Sequence, residues 1–277
     1  MAVVTATISD KAGKPMPGTY ELLSLDIERE VNRIPRCRLR FLDGDLQKQA
    51  FPISDSALFA PGAEVKVALR YGDSADTPVF AGLVVRHSLN LSPRGSILAV
   101  ELMDKAVALT QPRKSVVHPK ASDAAVLDTL CSSAGLKVAK AATTAPAKHE
   151  ELVQYNASDW DFLLMRAEAQ GMILAVTDGA LTLAKVSETG SKTHEYTYGI
   201  DSIFDVDLET DGLYQPGAVK GVAWDIETLA TSDTTAATVP AVKSNTLGAP
   251  DGTALAGALG FADETLTHAA PIDAKEL

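Results

Sequence analysis

Paired carboxylates are the groups in this chain best spaced for chemistry. Asp43 with Asp45, Asp159 with Asp161 and Asp205 with Asp207 each flank one residue. Such pairs could in principle share general acid and base work. All three fall on expected turns, a helix start or a strand face, where solvation alone accounts for charge. His87, His118, His149, His194 and His268 are scattered with no i, i+4 pair, so no metal site is expected. Gly190-Ser191-Lys192-Thr193 ends like a phosphate loop. It lacks the earlier glycine, and Ser191 separates Gly190 from Lys192, so it reads as a polar hairpin loop. There is no G-x-S-x-G elbow and no H-E-x-x-H. No catalytic residue, metal or cofactor is expected, and the chain offers no room for a fused hydrolase. Cys37 and Cys131 are the only cysteines. In a chain without an expected secretory signal they read as reduced, buried thiols.

One run of charge is ordered. Arg36, Arg38 and Arg40 alternate with Cys37, Leu39 and Phe41. A period of two puts the guanidiniums on one strand face and the apolar groups on the other. The charged face is a solvated sheet surface, a charge ladder at a subunit boundary or lumen, or, least favoured, an RNA contact. The formal net charge of −11 argues against a sequence-independent nucleic-acid binder, which needs a basic excess facing phosphates. At 277 residues, with 46% hydrophobic and 22% charged, the chain suits about two soluble domains. No apolar run approaches the roughly 20 residues needed to cross a membrane. The amino terminus lacks the basic and apolar regions of a signal peptide.

The elements that would carry these residues are mostly strands. Residues 1–113 read as an antiparallel barrel domain of about five to seven strands. Tyr20–Glu30 alternates through Leu23, Leu25 and Ile27. Arg36–Leu42 follows, with Asp43-Gly44 as its turn. Glu64–Tyr71 comes next, then Val79–Leu91 and Ser96–Met103 as a hairpin around Ser92-Pro93-Arg94-Gly95. Thr110–Val117 reads as a link.

Residues 114–190 read as an α/β middle section built on two capped helices. Ser122 and Ser158 are N-caps, with Asp123, Asp159 and Asp161 in the first turns, where the helix dipole favours them. Val126, Leu127 and Leu130 share one face of the first helix. Trp160, Leu163, Leu164 and Ala167 share one face of the second. Gly135 and Gly171 stand at equal distances from their caps and suit left-handed C′ positions. Ala139–Lys148 reads as a loop. Met172–Thr177 and Ala180–Val186 are short strands around Asp178-Gly179, a tight-turn dipeptide.

Residues 191–277 return to β. Strands are expected at Glu195–Tyr198, Ser202–Thr210 and Val219–Trp224, followed by an exposed loop over Thr228–Asp251. Pro271–Leu277 reads as the first turn of a helix, which implies that the chain continues.

The stretch Gln154-Tyr155-Asn156-Ala157-Ser158-Asp159-Trp160-Asp161-Phe162-Leu163, then a helix, Gly171 and a hairpin, resembles VgrG-like proteins and the baseplate hubs of contractile phage tails. Three further pieces follow the order of that family. They are Pro61-Gly62-Ala63-Glu64-Val65, Phe80-Ala81-Gly82-Leu83-Val84, and the strand ending in Trp224-Asp225. Trp160 stands where an aliphatic residue is more usual.

The resemblance implies two hub-type antiparallel β-barrels flanking the capped helix–strand units, the second barrel incomplete within these residues. It implies a structural protein and no enzyme: a homotrimeric ring adapting a six-fold inner tube to a three-fold spike. Its partners would be the inner tube protein, the spike or tip protein and other baseplate components, with no nucleic acid and no membrane insertion. Assembly would occur in the cytoplasm before incorporation into a tail-like or secretion particle. Two other classes compete. A hydrolase or toxin module of the same machines would show a catalytic cluster once folded. A carbohydrate-binding β module would show a row of exposed aromatics, and the 5% of aromatics mostly sit in apolar stripes.

Overall fold

The computed structural model describes residues 4–45, 47–92, 95–141, 149–185, 196–200, 205, 207, 213, 216–233, 252–260 and 262–268. The described residues are mostly β, with a curled half-barrel sheet and few helices. The chain divides into two compact units, Met1–Lys185 and Val186–Leu277.

The first unit opens with six strands: β1 (Val4–Asp10), β2 (Glu21–Glu28), β3 (Arg36–Asp43), β4 (Glu64–Tyr71), β5 (Thr77–Ser92) and β6 (Gly95–Met103). They form one antiparallel sheet in the order β1-β4-β5-β6-β3-β2. Alternation decides its faces. Cys37, Leu39 and Phe41 on β3, Val65 and Val67 on β4, and Leu98, Val100 and Leu102 on β6 point into one core with Phe59 and Phe80. Each large apolar side chain removed from water there contributes about 1.5–3 kcal/mol. The end strands β1 and β2 are not paired to each other, so the sheet is open where a closed or nearly closed barrel was a natural reading. Strand β1 lies in a stretch that sequence alone left unassigned; it pairs with β4 from Val4↔Tyr71 to Asp10↔Val65.

The expected alternation of β2 holds only in part. The register shifts between Leu22 and Ser24. Leu23 stands 48% exposed, while Leu22, Leu25 and Ile27 pack on the core. A bulge adds one residue and moves the neighbouring side chain to the other face.

The arginine face resolves into cross-strand pairs. Arg38 stands opposite Asp26 on β2 and Glu101 on β6, and Glu101 stands opposite Arg86 on β5. Arg36 and Arg38 lie 3.4 and 3.3 Å from Glu28. Opposite charges side by side on this sheet face compensate one another, and such exposed pairs are worth about 0–1 kcal/mol each.

The rest of this unit contains β7 (Lys114–Ala121), α1 (Asp123–Ser133), β8 (Lys137–Ala141), β9 (His149–Ala157), α2 (Asp159–Ala169), β10 (Met172–Thr177) and β11 (Ala180–Lys185). The link expected at Thr110–Val117 ends inside β7, because Val116 and Val117 pair with Gln154 and Val153 on β9. The loop expected from Ala139 begins later. Ala139–Ala141 continue β8, held in parallel to β11, and residues 142–148 lie outside the described residues. Strands β10 and β11 form the expected hairpin, with positive φ at both Asp178 and Gly179, as a two-residue type I′ turn requires. Both helices, β10, β11 and the 3₁₀ turn Lys105–Thr110 bury one continuous apolar cluster.

Two polar side chains join the six-stranded sheet to this cluster, Asn32 half-buried and Asp104 buried. Asn32, in the β2–β3 loop, donates its N–H to Leu174 O at 2.7 Å, and its Oδ1 accepts from Leu174 N at 2.8 Å. Asp104, 2% exposed, accepts from Ala106 N and from Gly179 N in the β10–β11 turn, each at 2.9 Å. Cys37 and Cys131 are free and buried in different apolar clusters. Burial, with Asp26 adding, pushes the Cys37 thiol up to about 12. Burial, with Asp128 and Asp159 adding, pushes Cys131 up to about 11.

The second unit contains β12 (Val219–Asp225), β13 (Ala230–Asp233), α3 (Gly252–Leu259) and β14 (Glu264–His268). Strand β12 pairs antiparallel with β13 and parallel with β14. The exposed loop expected over Thr228–Asp251 is therefore interrupted by β13, whose Ala230–Asp233 find ladder partners; residues 234–251 lie outside the described residues. The expected strand Glu195–Tyr198 is not formed where described. Ile200 N bonds Thr197 O at 3.1 Å and closes a turn at Tyr198, which takes the backbone out of the extended form. Of the expected strand Ser202–Thr210 only Asp205 and Asp207 are described, both exposed and irregular, and the expected helix start over Pro271–Leu277 lies outside the described residues.

Candidate functional site

The family-type motif sits where β9 runs into α2. Ser158 caps the helix: its Oγ accepts from Asp161 N at 3.1 Å, satisfying a donor that no helical carbonyl can reach. Gly171 closes it with φ +61°. Replacing Ser158 by alanine should cost about 1 kcal/mol, read as a fall in thermal midpoint, with Ser158→Asp recovering most of it.

Gln154 is fully buried. Its Nε2 donates to Ala157 O at 3.0 Å and to Asp159 Oδ1 at 2.9 Å. Asp159 is then held by Lys114 Nζ at 2.8 Å. A glutamine near the end of the strand thus fixes the first turn of the helix. Asn156 takes the left-handed φ of +45° at the bend, and its N–H donates to Ser115 Oγ at 3.1 Å. Phe162 and Leu163 are buried, and Phe162 stacks on His118 with centroids 5.6 Å apart. Asp161 is exposed.

The motif splits cleanly by face. Gln154, Ser158, Phe162 and Leu163 point inward. Tyr155 stands 81% exposed, beside Val153 at 57% and its cross-strand partner Val117 at 53%. These three make an apolar strip on the outer face of the β7–β9 ribbon. Trp224 and Asp225 lie in the other unit. Trp224 is 40% exposed on β12, so it is not a core aromatic among the described residues. Asp225 organises the turn after β12: it accepts from the Thr228 hydroxyl and from Glu227 N, each at 2.8 Å, and these bonds hold its carboxyl below the usual carboxylate range.

Two side-chain clusters carry no sequence signal. Asp123, 3% exposed, receives Arg166 Nε at 2.6 Å and the amide of Gln170, and lies 3.1 Å from His149 Nε2. These groups come from the start of α1, from α2 and from the start of β9. The aspartate expected as a simple helix-dipole residue is the centre of a buried polar network. The second cluster is a nucleophile–base contact, Ser54 Oγ to His87 Nε2 at 2.8 Å. His87 Nδ1 lies 3.2 Å from Phe59 O; a ring that donates there presents its Nε2 as acceptor for Ser54. Ser54 N in turn donates to Asp43 Oδ2 at 2.7 Å, and Ile53 N to Asp43 Oδ1 at 3.1 Å. Asp43 is 4% exposed, so solvation does not account for it as expected. It fastens the β3–β4 connection to the sheet, and His87 fastens the same segment to β5. Asp45 is the solvated member of that pair, its carboxyl held low first by Lys48 N and then by the Lys48 side chain. No group of three or more potential metal ligands occurs among the described residues, and none of their helices is long and apolar enough to cross a membrane.

The fold has solved counterparts. A tail protein from Neisseria meningitidis superposes with a TM-score of 0.62 at 12% identity, over 99% of this chain and 74% of that one. Prophage tail protein gp18 from Listeria monocytogenes gives 0.57 at 9% identity, over 96% and 72%. A chain of the Francisella PdpA–VgrG complex gives 0.52 at 12% identity, over 98% of this chain and 41% of that one, so this chain spans less than half of it. At these identities the likeness is one of fold: that of phage tail proteins and VgrG complexes. No curated protein matches the chain. The family comparison returns the domain described as the Alg8 N-terminal domain, whose model matches residues 1–277, and the chain belongs to that family.

Proposed function

We propose that this protein is a structural hub of a contractile injection system, a homotrimeric ring that adapts a six-fold inner tube to a three-fold spike. The observation that carries the reading is a tail-protein and VgrG fold over nearly the whole chain. The split motif supports it: one face of the β7–β9 ribbon builds the core, and the other offers Tyr155, Val153 and Val117 to a neighbour. Apolar side chains gathered on one exposed face favour association. A three-fold ring needs head-to-tail contacts between unlike surfaces, so this strip would meet a different patch on the next subunit. Two hub-type domains per subunit, the first on the curled, open six-stranded sheet and the second including β12, would give six similar positions for the tube. In this reading residues 1–113 and 191–277 are the barrel domains and 114–190 the section between them. The inner tube protein, a spike or tip protein and other baseplate components are the partners. The work is assembly, with no chemistry in the cycle.

Light scattering tests this directly. The protomer mass is 29.1 kDa, and the expected result is three times that value. The double variant Val153→Glu with Tyr155→Arg should run as a folded monomer. A strict monomer for the unmodified chain, and for one extended past Leu277, at concentrations well above micromolar would sink the ring.

A further inference from the structure

We propose that Ser54 and His87 form a nucleophile–base dyad, at which the Ser54 hydroxyl takes up an acyl group from a small, neutral activated ester. The contact has the geometry such a pair needs: nucleophile and base within hydrogen-bond reach, and a third group that orients the base. Ser54 Oγ lies 2.8 Å from His87 Nε2, and His87 Nδ1 lies 3.2 Å from Phe59 O. A carbonyl can only accept, so Nδ1 carries the ring proton of the neutral imidazole. Nε2 then turns its lone pair on the Ser54 hydroxyl. Strand register brings the ring there. The ladder between β5 and β6 shifts between Val84 and Arg86, and the extra residue changes which side chains face the core. Phe80 and Val84 are buried before the shift, and Leu89 packs on the same core after it. His87, two residues before Leu89, therefore takes the core-side face and meets Ser54 of the β3–β4 connection.

The hydroxyl is not needed to hold that connection in place. The Asp43 carboxylate already does so, accepting from Gly44 N at 2.8 Å, Ile53 N at 3.1 Å and Ser54 N at 2.7 Å. Ser54 and His87 are each half-buried, so a small reagent can reach them. A buried carboxylate bonded to the backbone of the nucleophile repels anionic reagents such as phosphate esters and leaves neutral acyl esters. In the step, Ser54 Oγ attacks the ester carbonyl carbon while His87 Nε2 takes the hydroxyl proton. The bond from that carbon to the leaving oxygen then breaks. The leaving oxygen departs with the electron pair, the acyl group stays on Oγ, and the imidazolium returns its proton to water. None of these residues belongs to the ring contact proposed above, so the dyad stands or falls whether or not the chain trimerises.

The test incubates the full chain with p-nitrophenyl acetate, following release of p-nitrophenolate and locating the acetyl group by peptide mass spectrometry. Release should begin with a burst stoichiometric with the chain, and the acetyl group should sit on Ser54. General-base assistance contributes about 10²–10⁴-fold, so Ser54 should acetylate about 100-fold or more faster in the folded chain than in urea. Ser54→Ala should remove the burst, and His87→Gln should slow it by a similar factor. Thermal melts check that both variants fold, and the unmodified chain in urea supplies a reference that needs no variant. p-Nitrophenyl phosphate, the anionic counterpart, should give no burst. Acetylation confined to lysines overturns the proposal. So does acetylation of Ser54 at one rate in the folded chain, in urea and in His87→Gln. A comparable burst with the phosphate overturns the assignment of a neutral ester.

Discussion

Replacing Asp123 by alanine should lower the stability of the first unit by about 3–5 kcal/mol, the largest effect expected of any single side chain here. Removing one partner of a buried ion pair leaves the other charge desolvated and unpaired, which costs about that much. The geometry meets the condition. The Asp123 side chain is 3% exposed and that of Arg166 17%, with Nε to Oδ1 at 2.6 Å. Alanine would take from the guanidinium the carboxylate it meets at 2.6 Å, remove the acceptor of the Gln170 amide, and remove the carboxylate that faces His149. It would also remove the side-chain link that joins the start of α1 to α2 and to the start of β9. The measurement is urea unfolding followed by Trp160 fluorescence, in a Trp224→Phe background so that the signal comes from α2 alone. Removing both charges as Asp123→Leu with Arg166→Met should restore much of the loss, because an apolar pair of similar volume often replaces a buried ion pair without penalty. A loss below about 1 kcal/mol, the size of an exposed pair, would show that the network does not hold these elements together.

The second large effect is Gly82→Ala. A Cβ at Gly82 would lie 2.5 Å from Met103 O and 2.7 Å from the Phe80 ring. The nearer obstacle is backbone, so the side chain cannot step aside and β5 must move away from β6. Overpacking of this kind costs about 1–3 kcal/mol and sometimes more, and the upper end applies where a ladder is forced apart. Leu83 pairs with Met103 at this point, so the strain falls on the central pair of the six-stranded sheet. Gly18→Ala is the control: nothing lies within 4 Å of its Cβ, and it should be neutral or slightly stabilising through the unfolded chain. Equal stability of the two variants would mean that Gly82 is kept for something other than this close approach.

Gly82 stands in the sequence as part of a family-type pattern, Phe80-Ala81-Gly82, but the physical reason for it is not visible there. Met103 is a neighbour only because β5 and β6 pair, and its carbonyl approaches because of the register they adopt. The same contrast runs through the site. Ser158 as a cap and Gly171 as a stop are legible because capping acts over three or four residues of local chain. Gln154 gives no such sign. A polar residue on a strand reads as a solvent-facing position, and only the packing of α2 over β9 makes it fully buried and bonded to Asp159. Tyr155, its neighbour, points outward for the same reason of alternation.

What the sequence determined by itself is whatever short-range periodicity and local hydrogen bonding control. That covers α1 and α2 with their caps, the β10–β11 hairpin with its Asp178-Gly179 turn, and the inward face of β3. The tertiary structure alone decided the strand order, the parallel pairing of β8 with β11, and the burial of Asp43, Asp104 and Asp123. It also decided the hold of Asn32 on Leu174. Those features join residues far apart in the chain. No spacing rule connects such residues, because their hydrogen bonds strengthen, and an unmet polar group becomes costly, only when the core around them closes and excludes water.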